Sequence, residues 1–170
     1  MEFRKVFSLC LAVMTVAAVG LASQARTASA DYTNALSGVS QVKAIFDVSQ
    51  GSAFKLNLVF WAVQNVYNDT TVKGLSKPPQ AAVVFHGPAV KLLSTDKNHY
   101  KQQNQEEVKK FQDTLRKMNS EGVKVEVCQY ALKVLKVDPK TIIPEVSQVG
   151  NGFVSIVGYQ AQGYEVVVIP

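Results

Sequence analysis

From residue 42 to its end, the chain alternates short valine-rich apolar runs with segments of helical spacing, and this alternation constrains the fold more than any other feature. The runs fall at residues 42–48, 81–85, 123–127, 146–149 and 164–169. Neighbouring parallel strands need a long crossover, usually a helix. Valine-rich strands separated by helical segments therefore argue for a parallel sheet covered on both faces. The fold class is α/β, a three-layer α/β/α sandwich with a parallel sheet of about five strands.

The segments between the runs read as follows. After the first run, Leu56, Val59, Phe60, Val63, Val66 and Tyr67 recur at helical spacing, while Phe54, Leu58, Trp61 and Ala62 occupy the other side. A helix apolar almost all round is covered on two sides, so this one is expected to meet a neighbouring subunit as well as its own sheet. Lys77-Pro-Pro79 is a linker, and the second run ends at His86-Gly87-Pro88 before a short apolar turn at residues 90–93. A helix is predicted over 102–119, with Val108, Phe111, Leu115 and Met118 as its stripe. Glu106 with Lys110 and Asp113 with Lys117 would pair on its wet side. A short helix over 131–137 would stop at Asp138-Pro139, and another over 152–162 would be capped by Gly163.

At the amino end, Arg4 and Lys5 precede 17 residues without charge, 6–22, and Ala28-Ser29-Ala30 supplies a small-x-small cleavage pattern. Residues 1–30 are expected to be a secretory signal peptide cut before Asp31, which would place the mature protein in the periplasm and leave residues 31–170 as one domain. An uncleaved anchor is the alternative, since about 20 apolar residues span a bilayer. Cys10 would leave with the leader; Leu9 stands where lipoprotein processing needs a small residue. The leader carries Arg4, Lys5 and Arg26 against Glu2, so its removal lowers the formal net charge from +5 to +3. Scattered lysines at that charge point to neither nucleic acid nor an anionic membrane surface.

The mature chain keeps one cysteine, Cys128, so no internal disulfide can form and packing alone holds the domain. Ligands in parallel α/β sheets gather at the carboxyl ends of the strands. Those ends bring Asp47 and Ser49, His86 and Gly87, Cys128, and Asn151 and Gly152 to one rim. Cys128 also stands at the amino end of the following helix, where unpaired backbone N–H groups favour thiolate over thiol. Against this, a cysteine closing a buried strand is often a small apolar filler. His86 before Gly-Pro can equally anchor a turn, and Asp47 can cap the next helix.

Sharper motifs are rejected. Gly150-Asn-Gly152-Phe-Val-Ser155 approaches a dinucleotide fingerprint, but the chain ends where its acidic ribose ligand should stand. Neither a P-loop nor a G-x-S-x-G elbow occurs, and no cofactor is expected. Two histidines and Cys128 fit no familiar zinc spacing, so no metal is expected, and His99 lies in a polar stretch read as solvated. Asn68-Asp-Thr70 is a glycosylation sequon, relevant only in a eukaryotic source.

The order Val42-Lys-Ala-Ile-Phe-Asp47, Val83-Val-Phe-His-Gly-Pro-Ala-Val-Lys-Leu-Leu93, Val125-Glu-Val-Cys128 and Gln160-Ala-Gln-Gly-Tyr164 resembles the DsrE-like proteins, most of all their exported branch. The resemblance spans residues 41–170. It implies a five-stranded parallel α/β/α fold, homo-oligomers that are commonly trimers or hexamers, and a cysteine at the strand-helix junction that accepts a persulfide from a partner protein. Cys128 matches that position. The leading expectation is a periplasmic sulfur carrier with Cys128 as nucleophile and His86 as proton partner. Asp47, Ser49, Gly87, Asn151 and Gly152 are its candidate ligand-binding positions. The alternative is a non-enzymatic oligomeric module that binds a small ligand and uses Cys128 structurally. A pocket opening onto the sulfur favours the first; a sulfur buried away from any pocket favours the second.

Overall fold

A computed structural model describes residues 32–170, and the expected leader, its cleavage site and Cys10 lie outside the described residues. Five strands, β1 (Lys43–Val48), β2 (Gln80–Phe85), β3 (Lys124–Cys128), β4 (Ser147–Val149) and β5 (Glu165–Ile169), form one sheet in the order β4-β3-β2-β1-β5. Every neighbouring pair is parallel. The connections carry helices α1 (Ala53–Asn68), α2 (Thr70–Lys73), α3 (Gln105–Ser120), α4 (Gln129–Val134) and α5 (Gly152–Ala161). The alternation of valine-rich runs with helical spacing thus yields the expected sandwich. Among the described residues, no helix is long and apolar enough to cross a membrane.

Strand alternation divides the buried residues between two unequal faces. Ala44, Phe46 and Val48 of β1, Val83 and Phe85 of β2, and Val125 and Val127 of β3 join α1 and α3 in the larger cluster. At its centre Phe60 of α1 meets Phe111 of α3 edge-on at 4.9 Å between ring centres, and Phe85 lies 5.9 Å from Phe111. The opposite cluster is small: Ile45, Ala82 and Val84 pack against Ile156 and Tyr159 of α5 and against Tyr164. The chain after β2 is held on the larger side by buried Gln112, whose side-chain amide donates to the carbonyls of Leu92 and Ser94 at 2.9 and 3.0 Å. That tether fixes where His86-Gly87-Pro88 leaves the sheet.

Several local expectations are corrected. The helix expected over 131–137 runs from Gln129 to Val134, a turn short of the Asp138-Pro139 stop. Lys136 ends it in the left-handed conformation (φ 57°), with Val137 N–H bonded to the Leu132 carbonyl and Lys136 N–H to that of Lys133. This is a glycine-type terminus built on a lysine, and it leaves no signature in the sequence. On α3, Asp113 pairs with Lys109 and Arg116 at 3.3 and 2.7 Å instead of with Lys117, which lies 3.8 Å from Glu121. His99 is not solvated: its side chain is 15% exposed and its Nε2 lies 3.8 Å from Asp96 Oδ2. Asp47 does not cap α1. Ser52 does, accepting from the Lys55 N–H.

Candidate functional site

Asp47 and His86 follow the alternation of Ile45 and Val84 onto the face covered by α5, and Cys128 follows Glu126 toward that helix while its packing still joins the larger cluster. Asp47 pairs in register with Val84, two residues before His86, and Cys128 pairs with Val149. His86 Nε2 lies 2.5 Å from Asp47 Oδ1, both side chains about one-fifth exposed at 21% and 19%. With Nε2–H donating to the carboxylate, a neutral ring keeps Nδ1 as its acceptor. Gly87 then turns the chain with φ 51°. A Cβ there would meet Ser49 Cβ at an ordinary 3.6 Å, so the left-handed backbone, not lack of room, selects glycine.

Cys128 is the residue before α4 and makes no capping bond with its side chain. It is only 5% exposed. Its closest structural partner was foreseen only as a rim residue: Gly152 opens α5, and a Cβ placed there would stand 3.1 Å from Cys128 Cβ, 3.1 Å from Val84 Cγ1 and 3.8 Å from the sulfur. Glycine is needed at 152 for closeness, and it lets the first turn of a ten-residue helix come up against the thiol. Asn151 fixes that turn by accepting the Phe153 N–H at 3.0 Å. The sulfur therefore faces the amino ends of two helices, where the sequence had suggested one.

A cleft of about 340 Å³ opens onto this corner and is lined by Cys128, His86, Gly87, Pro88 and Asn151. Its other walls are apolar: Tyr130, Ala131, Val134 and Leu135 from α4 and its end, and Phe153 from α5. The His86 ring centre lies 5.2 Å from that of Phe153. Of the predicted rim residues, Asp47, Ser49 and Gly152 do not line the cleft. Asp47 reaches it through His86, Gly152 packs behind the sulfur, and Ser49 sits against Gly87. Sequence reasoning missed the apolar walls, although Tyr130 and Val134, four residues apart, share one helix face. A larger cleft, about 800 Å³, lies at the amino ends of the strands beside Gln80, Lys124 and Tyr164, and holds neither thiol nor imidazole.

Glu126 was also missed, two residues before Cys128 on the same face of β3. Its carboxylate accepts from Ser155 Oγ at 2.5 Å and from the Tyr159 hydroxyl at 2.8 Å, which pins α5 to the sheet. Burial pushes the Tyr159 phenol well above its ordinary 10.0, and the bond to Glu126 pushes it further the same way. A glutamate inside a valine run, on the alternation that leads to the cysteine, was the available signal. Among the described residues, no three His, Cys, Asp or Glu side chains gather as a metal site would require.

A family model described as DsrE/DsrF-like matches residues 43–169. The chain belongs to the DsrE/DsrF-like family. Solved structures similar to this DsrE/DsrF-like chain include a protein of unknown function, MTH1491, from Methanobacterium thermoautotrophicum. It is 17% identical with a TM-score of 0.58, over 75% of this chain and 98% of that one. A conserved protein of unknown function, BT1422, from Bacteroides thetaiotaomicron is 16% identical (TM-score 0.53, 75% of this chain, 94% of that one). The ychN protein from E. coli is 14% identical (TM-score 0.52, 76% of this chain, 99% of that one). At such identities the likeness is one of fold. No match was found among curated proteins.

Proposed function

We propose that this DsrE/DsrF-like protein is exported to the periplasm and there carries sulfane sulfur on Cys128. One observation carries the reading: a single cleft is lined by the cysteine and by an imidazole hydrogen-bonded to Asp47. The Cys128 thiolate attacks the outer sulfur of a donor persulfide R–S–SH. The S–S bond breaks, R–S⁻ leaves with the electron pair, and Cys128–S–SH remains. Attack by an acceptor thiolate on that outer sulfur reverses the loading, so no external oxidant is consumed. His86 Nδ1 takes the thiol proton before attack and returns it to the leaving thiolate.

Membership in the family and the exposed apolar surface also support a homo-oligomer, a trimer or hexamer by resemblance. Phe54, Leu58 and Trp61 on the outer side of α1 are 60–72% exposed, as expected for a helix apolar on faces its own sheet does not cover. The competing reading, a ligand-binding module with an inert cysteine, draws on the apolar walls of the same cleft.

Intact-mass analysis after incubation of the folded mature protein with a persulfide donor tests the proposal. One sulfur atom should be gained by the native protein and none by Cys128→Ser. A native protein that gains none contradicts sulfur transfer and favours the ligand-binding module. N-terminal sequencing of protein from the periplasm should begin at Asp31; a start at Met1 would indicate an anchored form.

A further inference from the structure

A second cleft, about 550 Å³, adjoins the thiol cleft, and Pro88 lines both. Its character is opposite. Lys91, Lys101 and His99 line it together with Asn98, Gln103 and Asn104, and no carboxylate does. Neither lysine makes an ion pair or hydrogen bond among the described residues. Asp96 accepts from the Asn98 N–H, lies 3.8 Å from His99 Nε2 and acts electrostatically on Tyr100 of the same lining, while Glu107 accepts from Asn57. Gly51 and Ala53 bring the start of α1, whose first turn holds no acidic residue, to the same wall. Gly51 is pressed against Pro88, where an added Cβ would stand 2.8 Å from the proline Cβ, and Pro88 is the residue the two clefts share.

Two lysines without a partner among the described residues on one side of Pro88, and a nucleophile on the other, select a ligand with two unlike ends. We infer that the cationic cleft anchors the carboxylates of the sulfur donor, which is therefore a small-molecule persulfide bearing carboxylates and not a neutral one. This deepens the sulfur-carrier reading and rests on it. Lys91 and Lys101 take no part in the bond exchange; they hold the carboxylate end while the outer sulfur reaches Cys128.

Rates of sulfur loading on the mature protein, followed by intact mass, should be compared for glutathione persulfide, which carries two carboxylates, and the neutral persulfide of 2-mercaptoethanol. The native protein should prefer the glutathione donor. In Lys91→Ala/Lys101→Ala that preference should fall about three- to tenfold, the effect of two partly exposed charge contacts, with the neutral donor's rate unchanged. A preference that survives the double substitution, or an equal fall for both donors, overturns the inference. Calorimetric titration with unreactive S-methylglutathione separates the two levels. Binding by the native protein but not the variant, with no sulfur loaded from either donor, overturns the sulfur-carrier reading and leaves the anion cleft standing. No binding by either protein overturns the cleft's assignment itself.

Discussion

The two faces of the sheet use the same strands for different ends. Under α1 and α3, aromatic and branched side chains close into a sealed cluster in which Phe60, Phe85 and Phe111 are wholly buried. Under α5, a single helix covers fewer residues, and the strands spend their remaining positions on Asp47, His86 and Glu126, while Cys128 packs with the larger cluster and against Gly152 of α5. Stability is concentrated on the first face and polar chemistry on the second. The cleft at Cys128 lies where the first turn of α5, with Gly152 and Phe153, and the face of α4 bearing Tyr130 and Val134 meet over the strand ends.

If that division is right, substitutions should separate by face. Phe111→Ala removes the ring shared by both edge-on contacts and should cost about 3–5 kcal/mol in urea unfolding. Ile156→Ala on the α5 side, where the residue is peripheral, should cost about 2 kcal/mol. Equal losses would break the comparison. Gly152→Val drives branches into Cys128 and Val84 at a point already 3.1 Å from each for a bare Cβ. It should cost about 1–3 kcal/mol and slow alkylation of Cys128 as α5 is pushed outward. Normal alkylation in this variant would show that α5 does not set the sulfur's surroundings.

Glu126→Gln should cost somewhat less, about 1–2 kcal/mol, since Ser155 and Tyr159 donate to different carboxylate oxygens and the amide keeps only one oxygen acceptor, without its charge. It should also lower the Tyr159 ionisation seen in ultraviolet titration, leaving the part due to burial. The sign of the alkaline effect follows from the raised phenol. Above the ordinary value of 10.0, the unfolded chain releases a proton that folded Tyr159 retains, so stability is full below that pH and declines as pH rises beyond it. Tyr67, raised by burial and by its bond to Glu121 on the opposite side of the sheet, adds to the same decline. Tyr159→Phe and Tyr67→Phe should each flatten it.

The architecture was readable because strand length, valine content and helical spacing are local, and local signals suffice to recognise a parallel sheet, though not the order of its strands. The rim was readable for the same reason, since parallel topology sends every strand's carboxyl end to one edge. What stayed hidden depends on contacts far apart in sequence. Asp47 looked like a cap because it ends a strand just ahead of a helix, and only register brings it within 2.5 Å of the imidazole. Gly152 read as part of a nucleotide-like turn until its closeness to Cys128 and Val84 gave another reason for glycine. Lys136 closes α4 in a conformation that composition assigns to glycine.

The smallest stability effect is expected at the residue with the largest functional one. Cys128→Ser should change unfolding stability by less than about 1 kcal/mol, because the swap retains volume at a site that opens onto a cleft. The central claim, that the cleft between α4 and α5 leaves this cysteine usable despite 5% exposure, is tested most directly by its alkylation near neutral pH in folded and urea-unfolded protein. Faster reaction in the folded state, slowed but not abolished by His86→Ala, is the predicted result. A native thiol that reacts only after unfolding would contradict the account and make Cys128 a packing residue.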